Sequence, residues 1–339
     1  MAGERAVVVG AGGISRAWFP PLIDEKVDVT AVVDLNVKAA EERIATYGLD
    51  AEASDDLGAT LKRCRPDFVV DLTVPEAHCT VTCEALRAGC HVIGEKPMAN
   101  SMAEARKMVR AADKADRLYM VSQSRRWNPM HETARRQLAK DRIGTLSSAT
   151  CDFFLGAHFG GFRAEMDSPL ILDMSIHHFD LVRFITGKDP VAVYAHEWNP
   201  PGSWYRGVVA AGCIFEMTDG VTFSYRGSWC AEGRQTSWNG DWRFQGERGS
   251  MIYAQDELPV VEVAAKRTGF QLGCKALKVK PASVKHLRMH GALREMLAYL
   301  RRGTVPQTEC HDNIKSLAMV FAAIESSRKG RRVEIKTGV

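Results

Sequence analysis

Asp173 and His177 stand four residues apart in the apolar stretch from Leu170 to Ile185, and Asp180 follows His177 by three. A helix places side chains at those intervals on one face. Apolar residues run almost all the way round this helix, so it reads as mostly buried. A buried carboxylate and imidazole have to pair or face a polar cavity. The chemistry on offer is general base catalysis: Asp173 orients His177 and holds its charge, and His177 takes the proton of a substrate carbinol. The plainer reading of the same residues is a satisfied Asp–His pair in the core. His178 points elsewhere on the helix and reads as packing or an interface residue. Arg183 and Asp180 read as partners in helix-surface or interdomain ion pairs, with Asp180 also able to touch substrate.

Lys96 is the next candidate, in Gly94-Glu95-Lys96-Pro97 directly after the strand-like His91–Ile93. Open parallel sheets bind ligands at the carboxyl ends of their strands. A lysine there hydrogen-bonds a substrate hydroxyl and favours alkoxide character as hydride leaves, while Pro97 sets the backbone direction after it. The alternative is a surface lysine in a turn. A third group, Gly10-Ala11-Gly12-Gly13-Ile14-Ser15, follows the first strand and opens a helical segment. Glycines there let backbone N–H groups approach a pyrophosphate at a helix N-terminus. Ser15 occupies the place of the third glycine. Asp34 closes the second strand, near the spacing of about 20 residues expected of a ribose-binding acid. Its carboxylate accepts from both ribose hydroxyls and repels a 2′-phosphate. No arginine follows in Asp34-Leu35-Asn36, so NAD is favoured over NADP. A strand-end cap is the other reading of Asp34.

These groups need elements to position them. Strand-like runs at Ala6–Val9, Val29–Val33, Phe68–Leu72, His91–Ile93 and Leu118–Val121 alternate with helical stretches near Lys38–Tyr47, Leu57–Cys64, Ala77–Ala88 and Met102–Lys114. That alternation predicts βαβ units and a doubly wound parallel (Rossmann) sheet over residues 1–125. Longer strand-like runs follow at Leu146–Leu155, Val191–Trp198, Val208–Met217 and Val221–Trp229, the last two joined by Thr218-Asp219-Gly220, a hairpin signal. Trp242–Gln245 and Ser250–Tyr253 suggest another hairpin, and helices are expected over Leu170–Ile185 and near Gly291–Leu300 and Asn313–Ser326. Residues 126–339 therefore read as a mostly antiparallel α+β domain.

With 339 residues, two domains are the natural count. The 45 basic and 41 acidic residues leave a net charge of +4, with no clustered basic face for nucleic acid. No apolar run approaches the roughly 18 residues that suggest a membrane span, and the first strand starts too early for a signal peptide. Nine cysteines, an odd number with no Cys-x-x-Cys pair, read as reduced thiols in a cytoplasmic protein. Cys79 and Cys83 share a helix face beside His78 but lack a second ligand pair, so no metal site is expected.

Taken together, the chain resembles the Gfo/Idh/MocA family, the glucose–fructose oxidoreductase and inositol dehydrogenase group. The resemblance rests on Gly10-x-Gly12-Gly13-Ile14, Asp34, Thr73-Val74-Pro75-x-x-His78, Glu95-Lys96-Pro97, Arg126-Trp127-Asn128-Pro129, Ile143-Gly144 and Asp173-x-x-x-His177-x-x-Asp180. It implies a dinucleotide domain followed by a large open-faced sheet whose outer surface forms the contact of a homo-oligomer, a dimer or tetramer. It also implies a nicotinamide cofactor and redox chemistry at a secondary hydroxyl of a sugar, polyol or inositol. By motif match Lys96, Asp173 and His177 are catalytic. Gly10, Gly12, Gly13, Ile14, Asp34, Thr73, Pro75, His78, Glu95, Lys96 and Gln123 lie along the cofactor, and Arg126 and Trp127 near the substrate. Two departures fall where members vary the pocket. Asp167-Ser168-Pro169-Leu170 replaces a glycine run, and His158–Arg163 matches no known substrate pattern, which makes Arg163 and His158 candidate substrate contacts. A redox-neutral NAD-dependent glycosidase and a nonenzymatic NAD- or sugar-sensing regulator are the alternatives. A regulator would be expected to have lost Lys96 or the Asp–His pair.

Overall fold

The computed structural model describes residues 3–266 and 268–338. The chain divides into two compact units, one built from residues 3–124, 285–317 and 338, the other from residues 125–284 and 318–337. One boundary between the units falls between residues 124 and 125. However, residues 285–317 belong to the first unit and not with the 126–339 segment.

In the first unit, β-branched runs form the strands β1 (Arg5–Val9), β2 (Asp28–Val33), β4 (Phe68–Asp71), β5 (His91–Gly94) and β6 (Tyr119–Val121). A three-residue strand, β3 (Glu52–Ser54), carries too little apolar pattern to be visible in sequence. The helices are α1 (Phe19–Asp24), α2 (Val37–Tyr47), α3 (Leu57–Cys64), α4 (Pro75–Arg87) and α5 (Met102–Ala115). Two of them start on side-chain caps: Asp56 accepts from Ala59 N at 2.8 Å and Ser101 from Glu104 N at 3.2 Å, each meeting an amide the helix leaves unbonded. The six strands pair in the order β3-β2-β1-β4-β5-β6, all parallel. Val7, Val8, Phe68, Val69, Val70, Val92 and Ile93 are fully buried, as a sheet covered on both faces requires. One register row runs Val33–Val9–Asp71–Gly94–Val121. The residues just beyond it therefore emerge side by side at the carboxyl edge.

The returning segment holds α9 (Arg288–Arg302), which packs on α1, and the start of α10 (Cys310–Lys329). It closes the free edge of the sheet: Val121 N donates to Thr308 O at 3.0 Å, and Met120 bridges to Glu309. Glu25 accepts from Arg294 at 2.7 Å and faces His290 Nε2 at 2.7 Å.

The second unit is a nine-stranded sheet, with α6 (Pro129–Ala139), α7 (Gly161–Glu165), α8 (Ile176–Thr186) and the rest of α10. Its strands are β7 (Leu146–Phe154), β8 (Pro190–Trp198), β9 (Ala210–Met217), β10 (Thr222–Ser228), β11 (Asp241–Gly246), β12 (Gly249–Tyr253), β13 (Val260–Ala264), β14 (Cys274–Leu277) and β15 (Val333–Glu334). They pair in the order β14-β13-β12-β11-β7-β10-β9-β8-β15, antiparallel except for β10 with β7. Both expected hairpins form. Side chains largely alternate between the two faces. Phe215, Phe223, Tyr225, Trp242 and Phe244 point into the core, where Phe179 of α8 meets Phe215 and Tyr225 edge-on. On the opposite face Val191, Tyr194, Trp198, Ile214, Ile252 and Val260 are exposed. Among the described residues no helix is long and apolar enough to cross a membrane.

The helix carrying Asp173 and His177 departs from the sequence expectation. Its opening, Leu170–Ser175, is a π-helix that becomes α-helical only at Ile176. The wider turn breaks the simple four-residue periodicity between Asp173 and His177.

Candidate active site

In the first unit the loop after β1 leaves the sheet at Gly10, whose φ is +103°. A Cβ there would lie 2.7 Å from the carbonyl carbon and oxygen of Leu72. Only glycine fits that conformation and that approach. At Gly12 and Gly13 a Cβ meets nothing within 4 Å, and Gly12, Gly13 and Ile14 are exposed. The loop thus presents bare backbone to open space, the shape a pyrophosphate needs. Asp34 fixes this loop: its Oδ2 accepts from Ala11 N at 2.7 Å and its Oδ1 from Asn36 N at 2.8 Å. Each oxygen keeps acceptor capacity for a ribose hydroxyl. Ser15, where a glycine was expected, is buried. Its hydroxyl donates to Gly12 O at 2.7 Å and accepts from Arg43 Nε at 3.0 Å, while Arg43 Nε also donates to Ala11 O at 3.1 Å. Arg43 therefore ties α2 to the loop, and no sequence motif signals it.

Next along the edge, Asp71 organises a buried network. Thr73 donates to it through Oγ1 at 2.6 Å and N at 3.1 Å, Thr82 Oγ1 at 3.1 Å, and His78 Nδ1 lies 3.1 Å from its Oδ2. Burial works against a charged His78, but the charge and hydrogen bond of Asp71, with Glu95 nearby, raise its pKa above the usual histidine value. Thr73 and Pro75 remain partly accessible, whereas His78 is buried beneath them. Glu95 is also buried. It accepts from Trp18 Nε1 at 2.8 Å and from the Lys96 amide at 3.2 Å, and burial raises its pKa despite those donors and the Lys96 charge. Half-buried Lys96 follows it, with a cis peptide to Pro97. Gln123, beyond β6, is buried and its Nε2 meets no hydrogen-bond partner among the described residues.

In the second unit Asp173 and His177 are half-buried on the π–α junction. Asp173 Oδ2 accepts from Arg163 Nε at 2.6 Å, a contact between two residues the sequence singled out separately. Asp180 faces a different partner. It is buried and receives Arg126 Nε at 2.8 Å and Nη2 at 2.6 Å, with Arg183 at 3.9 Å. The pair is neither helix-surface nor interdomain: all its members are buried and lie in the second unit. Arg126, expected near substrate, is engaged inside the unit, and Trp127 beside it is buried too. His178 is packing, fully buried against Phe153, Tyr225 and Trp242. His158 stacks on Trp204 at 3.7 Å and pairs with Glu232 at 2.9 Å, both in the exposed loop region.

All nine cysteines are free thiols. Burial first, then Cys79, raises the Cys83 thiol to about 11. Two other groupings, Glu25–His286–His290 and Glu309–Cys310–His311, bring ligand-type atoms within 4.8 Å of one another.

Comparison with known proteins agrees with this geometry. Residues 4–123 match the model of an oxidoreductase family with an NAD-binding Rossmann fold, and residues 131–252 match the GFO/IDH/MocA C-terminal domain. A 1,5-anhydro-D-fructose reductase of Ensifer adhaerens is 28% identical, covering 99% of this chain and 100% of that protein. A D-apiose dehydrogenase of Paraburkholderia graminis is 26% identical, over 98% and 90% of the two chains. An oxidoreductase from Agrobacterium radiobacter, solved in complex with NAD+, L-tartaric acid and magnesium, shares the fold with a TM-score of 0.85 at 23% identity, over 98% of both chains. A Rossmann sheet with an open glycine loop and an acid at the end of β2, followed by the matching C-terminal domain, makes this chain a member of the Gfo/Idh/MocA family and an NAD-binding oxidoreductase.

Proposed function

We propose that the protein transfers hydride between NAD and a secondary hydroxyl, or the matching ketone, of a sugar, polyol or inositol. The observation that carries this reading is the register row of the parallel sheet, which brings Asp34, Gly10, Thr73, Lys96 and Gln123 out along one edge. The sugar dehydrogenases and reductases among the relatives support the substrate class. Gly10, Gly12, Gly13 and Asp34 hold the cofactor, with Thr73, Pro75 and Gln123 along it. The nicotinamide, when bound, supplies the hydride acceptor or donor. Lys96 donates a hydrogen bond to the reacting oxygen and stabilises its developing negative charge. His177 carries the hydroxyl proton, and Asp173 orients it. Asp34, by its charge, disfavours a 2′-phosphate and so NADP.

We further propose that the protein forms a homo-oligomer through the open sheet face. One register row there reads Tyr194, Ile214, Ser224, Thr150, Arg243, Ile252 and Val260 across seven strands. A row with that many apolar members suits a protein interface. Light scattering after size exclusion tests it, a monomer being the refuting result. The nine free thiols fit a reducing cytoplasm.

The test of the reaction is nicotinamide absorbance with NAD and NADP in parallel against inositols, aldoses and polyols. NAD-linked turnover is expected. Lys96→Ala and His177→Ala should each lower it by about 100-fold or more while NADH binding persists. Normal turnover in either variant would remove that residue from the mechanism.

A further inference from the structure

Arg163 is held in an unusual way. Its guanidinium lies over the ring of Phe162 at 4.5 Å and that of Phe159 at 5.2 Å, and its Nε donates to Asp173. Its terminal Nη groups meet no hydrogen-bond acceptor among the described residues. The two rings are themselves exposed, at 65% and 46%. Phe159 packs on buried Trp229 at 5.1 Å and on exposed Trp238 at 6.0 Å. Stacking and the Nε bond fix the plane of the guanidinium, so its end-on fork is oriented before any ligand arrives. An arginine fixed in this way, with free Nη donors beside open aromatic surface, is a receptor for a planar anion.

We infer that the substrate carries a carboxylate, as an aldonate, uronate or comparable hydroxy acid does, and that Arg163 binds it through its Nη edge while the exposed rings of Phe159 and Phe162 face the carbon skeleton. The inference rests on the reading of Asp173 as part of the reaction site. The charge balance favours a carboxylate over a phosphate. Asp173 already offsets one positive charge, so a monoanion leaves the arginine–aspartate–ligand group at −1 and a dianion leaves it at −2. The contact also places the acid-binding group next to the residue that orients His177, so recognition and proton transfer share one support.

The test uses the full chain with NADH bound and follows quenching of NADH fluorescence. D-glucuronate and D-gluconate are titrated beside their neutral counterparts D-glucose and D-glucitol, with D-glucose 6-phosphate as the phosphate arm. The acids should bind about tenfold or more tightly than the neutral partners, as charge-assisted hydrogen bonds imply. Arg163→Gln should abolish that preference and Arg163→Lys should keep part of it, with unchanged NADH affinity as the fold control. Equal binding of acid and neutral partners, no binding of either acid, or a preference that survives Arg163→Gln would each overturn the inference. Tighter binding of the phosphate than of the carboxylates would overturn the choice of anion. NAD-linked turnover of neutral polyols without acid preference would sink the inference and leave the proposed reaction standing. Arg163-dependent acid binding without hydride transfer would do the reverse.

Discussion

Asp180→Ala should unfold the second unit more easily than any surface change, and the amount follows from its pairing with Arg126. The two side chains are 2% and 6% exposed, and two charge-assisted bonds of 2.8 and 2.6 Å join them. Arg183 has its own acid in Asp189 at 3.0 Å, so it loses little. Removal of the Asp180 carboxylate takes both of these bonds from a guanidinium that stays buried beside the Phe184 ring at 5.6 Å. Losing one member of a buried ion pair costs about 3–5 kcal/mol. Replacing both with apolar residues of similar size, Arg126→Met with Asp180→Leu, removes both buried charges together and should fall within about 1 kcal/mol of the parent. Denaturant unfolding at neutral pH, followed by tryptophan fluorescence, compares the three proteins. The same variants decide the role of Arg126: if its donors are engaged only internally, the double variant keeps its KM within a few-fold. A single variant as stable as the parent, or a double variant as unstable as the single, would refute the energetic reasoning. A stable double variant with KM raised about tenfold would return Arg126 to the substrate, because a lost charged hydrogen bond weakens binding by that order.

Four other outcomes follow from the geometry. Asp34→Ser should relax the discrimination against NADPH by about tenfold relative to NADH, since one charge is removed from the ribose end; an unchanged ratio in paired titrations would make Asp34 only a cap. Gly12→Ala should fold as stably as the parent, its Cβ meeting nothing within 4 Å, yet bind NADH about tenfold or more weakly if that space takes the pyrophosphate, as proposed. Gly10→Ala should instead cost about 1–3 kcal/mol of stability, read by thermal unfolding, from its left-handed backbone and the contact with Leu72. Glu197 is raised from 4.5 to about 7 by burial, with Ser168 and Arg328 pulling it down. The folded state thus holds this proton more tightly than the unfolded chain, so its contribution to stability falls as pH rises from about 4.5 to 7. Glu197→Gln should gain about 3 kcal/mol at pH 8 and nothing near pH 4. A gain equal at both pH values in denaturant titrations would contradict the assignment.

Much of the first unit was legible because its rules are local. Glycines between a strand and a helix, a terminal Asp34 and continuous valine runs each carry their own physical signature. The antiparallel sheet was legible for the same reason, as long strand-like runs with the turn residues Thr218-Asp219-Gly220 between two of them. What escaped depends on partners far apart in sequence. Nothing around Arg43 announces that it will reach Ser15 and Ala11, and nothing around Asp71 that four groups converge on it. Spacing alone puts Asp173 and Asp180 on one helix face, but the π-helical turn and two different arginines give them separate settings. The aromatic residues of the sheet divided by parity, Phe223 and Tyr225 inward and Trp198 outward, and only the register decides which. The return of residues 285–317 to the first unit has no compositional marker, since an amphipathic α9 would suit either unit.

That return affects how the protein is made. Until Thr308 and Glu309 leave the ribosome, β6 is an open edge and α1 lacks the helix that covers it. At about 5–20 residues per second, the 193 residues from 124 to 317 take roughly 10–40 s to synthesise. For that interval the nascent sheet presents a bare, apolar strand of the kind that pairs with other chains. The segment up to residue 124 is therefore the part expected to depend on chaperone protection during translation, even though its sequence looks like a self-sufficient domain.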